Sequence, residues 1–236
     1  MSATTPIDSP PAEAPNSKSS EHAREVLRQG DFYPLLYVFS RTALWWMFCL
    51  NGGVTIEGAE NVPRSGAAII AANHSSHTDP PLIAATNRRP VTIMGKEELF
   101  RVPILGPYIR HLGTFPVKRG TADRVALRMA IDRLAAGRLV LMFPEGTRGD
   151  GVNLQSPERG MGLIAVKSGA PVIPTYIHGT SKMMPRGQSG FHRAKGGVVY
   201  GKPVDPKHFS GKTAGEEIGA AVMAAIEAMR DARQSG

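Results

Sequence analysis

The chain has 236 residues, of which 42% are apolar, and it carries a formal net charge of +8. This length suffices for one medium-sized domain with a buried core. The single cysteine, Cys49, excludes an internal disulfide framework and a cysteine-rich metal site, and the positive charge favours anionic partners such as nucleic acid, acidic lipid or a phosphorylated substrate.

The first part of the chain, residues 1–20, is rich in Pro, Ser, Ala and Thr. Such a composition buries too little apolar surface to offset the entropy of ordering, so we expect a disordered tail. The tail lacks a basic start followed by an apolar core. We therefore expect no secretory signal and a protein that stays in the cytoplasm.

Residues 21–52 contain an apolar run, Leu35–Leu50, that is interrupted by Arg41. The run is shorter than the ~20 residues that a helix needs to span a bilayer. We expect a helical membrane-association segment that lies at the interface; a core helix and a tilted membrane span are the alternatives. Aromatic rings that suit the headgroup boundary are Tyr33, Tyr37, Trp45 and Trp46.

From residue 53 onward, short apolar runs alternate with helical stretches. Thr121 is expected to cap a helix that ends at Gly137, and Thr213 with Glu216 forms a capping box for a last helix that runs towards Arg230. This alternation predicts an α/β fold with a mixed, largely parallel sheet flanked by helices. The predicted strands are Val54–Ile56, Ala67–Ala72, Val91–Met94, Thr114–Val117, Leu139–Phe143, Val172–Ile177 and Gly197–Tyr200.

The stretch AANHSSHTDP, Ala71–Pro80, directly follows one of these runs. Because ligands and catalytic groups collect at the carboxyl ends of strands in α/β folds, His74 is a candidate base and Asp79 the carboxylate that orients it. A structural histidine and a helix cap are the plain alternatives. A metal site is the third, with His77 as another ligand and His178 as a distant one.

A second stretch, LVLMFPEGTRGDG, breaks after a buried strand into a turn that contains Glu145 and Gly146. Gly146 lets the backbone approach a ligand closely, Thr147 offers a hydroxyl, and Arg148 offers a fork of donors for phosphate or carboxylate. The alternative is an ordinary turn with solvated charges.

Two further stretches are weaker on their own. GTFPVKRG, Gly113–Gly120, is a short strand that delivers Lys118 and Arg119. APVIPTYI contains an apolar pair bracketed by Pro171 and Pro174, a pattern common in edge strands.

Together the four stretches resemble the glycerolipid acyltransferase family, typified by 1-acyl-glycerol-3-phosphate (lysophosphatidic acid) acyltransferase. Asn73, His74 and Asp79 match its Asn-His-x-x-x-x-Asp motif, and Phe143 to Arg148 match Phe-Pro-Glu-Gly-Thr-Arg without a change. The second and fourth motifs are matched by Gly113, Phe115, Arg119, Val172, Ile173 and Pro174. The departures are Gly149, where the family often has Ser, and Pro116.

The resemblance implies that residues 53–236 form an acyltransferase catalytic domain. His74, held by Asp79, would deprotonate the free hydroxyl of a lysophospholipid, most simply 1-acyl-glycerol-3-phosphate, which would become phosphatidic acid. The hydroxyl oxygen would attack an acyl-CoA or an acyl–acyl carrier protein thioester. Because a thioester is already activated, no protein nucleophile, metal or other cofactor is expected.

The resemblance also distributes the remaining roles. Arg119 is expected to hold the phosphate of the acceptor, with Lys96 and Arg148 as helpers, and Glu145 joins the acceptor site. The N–H groups of Gly146 and Thr147 are candidate oxyanion donors. His77 stands at a variable position of the first motif, so it is expected to be a bystander.

The expected location is the cytoplasmic face of a membrane containing anionic lipid, as a peripheral or monotopic protein. Nucleic acid is not expected, because no basic stretch is interleaved with aromatic residues. Three other functions stay open: acyl transfer to another lysophospholipid or lipid acceptor, a thioesterase or lysophospholipase that uses the same His/Asp pair on water, and a non-catalytic binder of acidic lipid.

Overall fold

The computed structural model describes residues 33–117, 123–149, 154–185, 187–188 and 190–234. Their strands form one sheet in the order β1-β7-β6-β2-β5-β3-β4. The neighbouring pairs are parallel except β6 and β7, which are antiparallel. The strands are β1 (Val54–Glu57), β2 (Ala68–Ala72), β3 (Val91–Lys96), β4 (Phe115–Val117), β5 (Leu139–Met142), β6 (Val172–His178) and β7 (Gly196–Tyr200).

Helices cover both faces of this sheet, so the predicted α/β fold with a mixed, largely parallel sheet is confirmed. Short 3-10 turns occur at Ala59–Asn61, Glu97–Arg101 and Pro206–His208. The α-helices are α1 (Pro34–Leu50), α2 (Asp79–Thr86), α3 (Leu105–His111), α4 (Arg124–Ala135), α5 (Arg159–Ser168), α6 (Thr180–Met183) and α7 (Ala214–Gln234).

Each residue of the central strands β2 and β5 is buried, as expected for parallel strands covered on both faces. Alternate side chains therefore enter two separate cores. Ile69 and Val140 join one core with the apolar faces of α4, α5 and α7. Ile70 and Leu141 join the other, which contains α2 and the buried ring of Phe48 from α1.

Several local predictions need correction. Helix α4 is capped by Asp123, whose carboxylate accepts from the N–H groups of Val125 and Ala126, rather than by Thr121. At the start of α7, the Thr213 hydroxyl of the predicted capping box donates to the carboxylate of Glu217, the residue after Glu216.

Strand β6 lies between β7 and β2, not at an edge. Its Pro174 is opposite Ala71 of β2 in the register. The carbonyl of Pro174 accepts from Gly201 N–H, so this residue still contributes a hydrogen bond as an acceptor.

Helix α1 has one face in the protein and one face in solvent. Tyr37, predicted at a headgroup boundary, is instead buried, and its hydroxyl accepts from the N–H of Val91. Among the described residues, no helix combines the length and apolar character needed to cross a membrane. The predicted tail, residues 1–20, and the beginning of the membrane-association segment, residues 21–32, lie outside the described residues. The exposed positions of α1 carry no charge: Pro34, Leu35, Val38, Phe39, Thr42, Ala43, Trp46, Met47 and Leu50.

Candidate active site

The two strongest sequence motifs meet at the end of the sheet where the carboxyl ends of its central strands lie. His74 follows the end of β2, and Glu145 follows the end of β5. Because β2 and β5 are parallel neighbours, their carboxyl ends lie side by side. The carboxyl end of β6 lies there too. Asn73 joins it to the first motif, because the Asn73 side-chain amide donates to Ile177 O and accepts from Ile177 N–H.

His74 and Asp79 form a buried pair in which Nδ1 lies 2.8 Å from Oδ2. The same carboxylate oxygen accepts from the N–H groups of Ser75 and Ser76, at 2.7 and 2.8 Å. Since a carboxylate can only accept, the Nδ1 of a neutral His74 carries the proton, and Nε2 keeps a lone pair. Asp79 is the first residue of α2, so the helix start itself positions the carboxylate.

The imidazole of His74 is held from a second direction by a ring. Phe143 stacks on it with centroids 3.9 Å apart and planes 16° from parallel. His74 is only 5% exposed. Nδ1 and the ring face are therefore both restrained, which leaves little freedom for the imidazole to rotate.

The carboxylate of Glu145 faces main-chain donors. One oxygen accepts from His74 N–H at 3.1 Å and the other accepts from Gln155 N–H at 3.0 Å. Burial raises the pKa of Glu145, while the hydrogen bonds from Gln155 and His74 oppose that rise. Glu145 thus connects the main chain of the first motif to the segment after the third.

The turn at Gly146 uses its own amide groups. The N–H of Gly146 donates to Phe143 O at 3.0 Å, and that of Thr147 donates to Glu145 O at 2.7 Å. Both predicted oxyanion donors are therefore engaged within the turn. Gly146 has a φ of 66°, in the left-handed region that favours glycine. Gly149 donates to His74 O at 2.8 Å, so its backbone closes the turn over the first motif without needing a side chain.

A family model described as Acyltransferase matches residues 53–178, more than half of the chain. This chain belongs to the acyltransferase family. The crystal structure of the 1-acyl-sn-glycerophosphate acyltransferase PlsC from Thermotoga maritima is similar to it, with a TM-score of 0.70 and 32% identity over 93% of this chain and 84% of that one.

Two curated relatives carry more specific names. A 1-acyl-sn-glycerol-3-phosphate acyltransferase of Bacillus subtilis is 30% identical over 74% of this chain and 85% of its own length. A lyso-ornithine lipid O-acyltransferase of Pseudomonas aeruginosa is 32% identical over 71% of this chain and 64% of its own length. The chain spans only 43% of the length of a similar plant protein.

The other predicted site residues of this acyltransferase are less closely grouped. Thr147 is exposed and Arg148 is partly buried. Lys96 ends β3 at the same end of the sheet, is 52% exposed and pairs with Glu98. Arg119 lies outside the described residues, two positions after the end of β4.

The other two histidines of the hypothetical metal site are His77 and His178. His77 is exposed, whereas His178 lies 3.4 Å from the Thr55 hydroxyl on β1. Among the described residues, no three His, Cys, Asp or Glu side chains are grouped so that they could hold a metal ion.

Sequence reasoning missed an open cleft of about 1190 Å³ between α4 and α5. Phe143 and Gly146 are among the residues that line it, so the cleft reaches the ring that stacks on His74. Its apolar lining comes from separate elements, including Met94, Leu127 and Met161. No linear motif joins them, although the apolar stripes of α4 and α5 were a partial signal.

Proposed function

We propose that this acyltransferase moves a fatty acyl group from an acyl thioester to the free hydroxyl of a lysophospholipid at a membrane surface. The foremost acceptor is 1-acyl-glycerol-3-phosphate, and the donor is acyl-CoA or an acyl–acyl carrier protein. The observation that carries this proposal is the buried His74–Asp79 pair with Nε2 left as a base.

In the proposed reaction, His74 Nε2 takes the proton of the acceptor hydroxyl. The oxygen attacks the thioester carbonyl, a C–O bond forms, the C–S bond breaks, and the imidazolium returns the proton to the departing thiolate. Asp79 stabilises the imidazolium through Nδ1–H and is itself oriented by two main-chain N–H groups. No acyl-enzyme is needed.

The cleft between α4 and α5 supports an acyl donor. Its apolar lining suits a fatty acyl chain and includes Phe143, whose ring stacks on His74. Arg124 and Lys167 also line the cleft and suit the phosphates or carboxylates of an anionic carrier, whereas Arg128 there pairs with Asp132.

The uncharged outer face of α1 supports contact with a membrane. Leu35 is 86% exposed and Phe39 73% exposed, and exposed apolar surface of this kind marks an interaction site. A helix of 17 residues with one buried face fits an interfacial position better than a span. Lysophospholipid acceptors reside in the same interface.

The acceptor headgroup is the less constrained part of the proposal. The Bacillus relative favours a glycerol phosphate, whereas the name of the Pseudomonas relative favours a lyso-ornithine lipid as the second candidate. Arg148 and the proposed phosphate ligand Arg119 suit the anionic phosphate of the first.

The test is an acceptor panel with one labelled acyl thioester, run on the full chain in liposomes. We expect thiol release only when a lysophospholipid is supplied, and a fall in kcat of about 10²–10⁴-fold for His74→Ala, the usual contribution of a general base. His77→Ala is the matched control and should change kcat by less than about threefold, because its ring is exposed.

Two results would overturn this assignment. Thiol release at the same rate without any acceptor would indicate a thioesterase. A folded His77→Ala variant that is inactive, beside an active His74→Ala variant, would place the base on the other ring.

A further inference from the structure

The segment Leu99–Tyr108, which runs from the 3-10 turn after β3 into the first residues of α3, presents large apolar side chains to solvent. Ile104, at its centre, is 86% exposed, as much as any large apolar side chain among the described residues. The others in the segment are Leu99 at 38%, Val102 at 43%, Leu105 at 38% and Tyr108 at 38%. Exposed apolar residues this dense in sequence indicate a surface that something else covers.

Ile104 is also held in an unfavourable backbone conformation. Its φ is 68° and its ψ is −52°, and among the described residues it is the only one besides glycine with a positive φ. For a β-branched residue this conformation is a genuine outlier. A glycine would adopt this conformation without strain. A bulky apolar side chain at this position therefore indicates a role other than stabilising the fold.

The neighbouring backbone explains how the strained residue is supported. Leu105 N–H donates to Pro103 O at 2.8 Å, and Gly106 N–H donates to Val102 O at 2.9 Å. Gly106 packs so closely on the carbonyl of the buried Phe100 that an added Cβ would collide with it. These contacts hold the segment Leu99–Tyr108 in one conformation, with Ile104 exposed at its centre. We call this segment the projection.

This projection adjoins α1. The Tyr108 hydroxyl donates to the buried Ser40 hydroxyl of α1 at 2.8 Å. At the other end of α3, Tyr33 N–H donates to His111 O at 3.2 Å, and the two rings meet edge to face. The exposed apolar residues of α1 and of the segment thus belong to adjoining elements that are joined at two points.

Basic side chains lie beside the segment, although two of them are paired with carboxylates. Arg101 is 74% exposed and pairs with Glu97, and Lys96 pairs with Glu98. The Arg110 guanidinium lies 5.0 Å from the centre of the Phe100 ring. An aliphatic tip with arginines beside it suits acyl chains below anionic headgroups. The segment also leaves the carboxyl end of β3, the end of the sheet that carries His74.

We propose that Leu99–Tyr108 is a second membrane-contacting element, in which Ile104 inserts among lipid acyl chains and directs the His74 end of the sheet towards the bilayer. The partner that covers these apolar side chains is the lipid bilayer. This inference deepens the proposed function, since it assumes that the acceptor is reached in a bilayer.

The test measures partition of the full chain into vesicles of phosphatidylcholine with phosphatidylglycerol, with neither donor nor acceptor present. Ile104→Glu should lower the partition coefficient at least about tenfold, because the variant loses the burial of one large aliphatic side chain. Ile104→Gly should also lower it while raising Tm, because glycine relieves the backbone strain.

Val125→Glu is the matched control. Val125 is 69% exposed on α4, whose apolar side packs into the other core, and the substitution adds the same charge. Its partition coefficient should equal that of the wild type. With acceptor supplied as a dispersed short-chain lysolipid, Ile104→Glu should transfer acyl groups at the wild-type rate.

Wild-type partition for Ile104→Glu, or no partition of the wild type at all, would overturn the inference. A loss of dimer in Ile104→Glu with unchanged vesicle binding would also overturn it, because a second copy would then cover the surface. The wild type could also bind vesicles in an Ile104-dependent way and yet transfer no acyl group. That result would contradict the proposed function and leave the membrane contact of Leu99–Tyr108 intact.

Discussion

The carboxylate of Glu145 shows how a single side chain can support a site through the main chain. Its two oxygens accept from main-chain N–H groups on either side, and the residue is 4% exposed. Its pKa is raised by burial, so its ionisation destabilises the fold as the pH rises from 4.5 through the folded pKa. We infer that it keeps His74 in position; acceptor binding was the expectation from sequence.

Glu145→Gln should therefore lower kcat about 10–100-fold and leave the KM for the acceptor within about threefold, because a small displacement of a catalytic group is costly. The glutamine NH₂ would face a main-chain N–H, so one donor would lose its acceptor. Steady-state kinetics with the acceptor varied would check this.

Glu227→Gln, on the exposed side of α7, is the control and should behave as the wild type. A raised acceptor KM with unchanged kcat in Glu145→Gln would instead support the acceptor-binding role.

At the scale of elements, α1 belongs to two environments. Phe48 is fully buried and packs into the core that contains Ile70 and Leu141, whereas Trp46, two residues before it, is 60% exposed. The same helix therefore contributes to the stability of the fold and presents an exposed apolar surface, which the proposed function assigns to lipid.

Phe48→Ala should lower the free energy of unfolding by about 3–5 kcal/mol, the usual cost of deleting a buried phenyl ring. Trp46→Ser should change it by less than about 0.5 kcal/mol and should weaken vesicle binding. Urea unfolding followed by circular dichroism, together with vesicle sedimentation, would separate the two effects. Equal destabilisation by both substitutions would show that α1 is buried on both sides.

At the scale of the whole molecule, His178 of β6 lies near two elements that are far apart in the sequence, strand β1 and helix α7. Nε2 lies 3.4 Å from the Thr55 hydroxyl of β1, and Arg233 of α7 donates to that hydroxyl and pairs with Glu57. Burial, with Arg233 as a further cause, lowers the pKa of His178 to about 4.

Because the pKa of His178 in the folded state lies below its unfolded value of 6.5, the folded state favours the neutral ring. The stability that depends on this group is present above pH 6.5 and is lost as the pH falls towards 4. His178→Gln should make the free energy of unfolding less sensitive to pH across this range. Urea titrations of both proteins at several pH values would measure the difference, and parallel curves would contradict the prediction.

Patterns among neighbouring residues of the sequence were enough to predict the strands and the His74–Asp79 pair. All seven strands appear where the apolar runs predicted them. His74 and Asp79 are five residues apart, and the intervening turn is enough to join them. These features depend on neighbours in the chain, so apolar patterning and motif spacing were sufficient.

Tertiary structure decided the features that join distant segments. Glu145 meets the main chain of His74 across 71 residues, and Asn73 meets Ile177 across 104. The cleft between α4 and α5, the two faces of α1 and the projecting Ile104 likewise arise only when separate elements pack. The sequence by itself could name the acyltransferase motifs, but which atoms face each other depended on long-range packing, because side-chain direction is set by the neighbours that exclude the other rotamers.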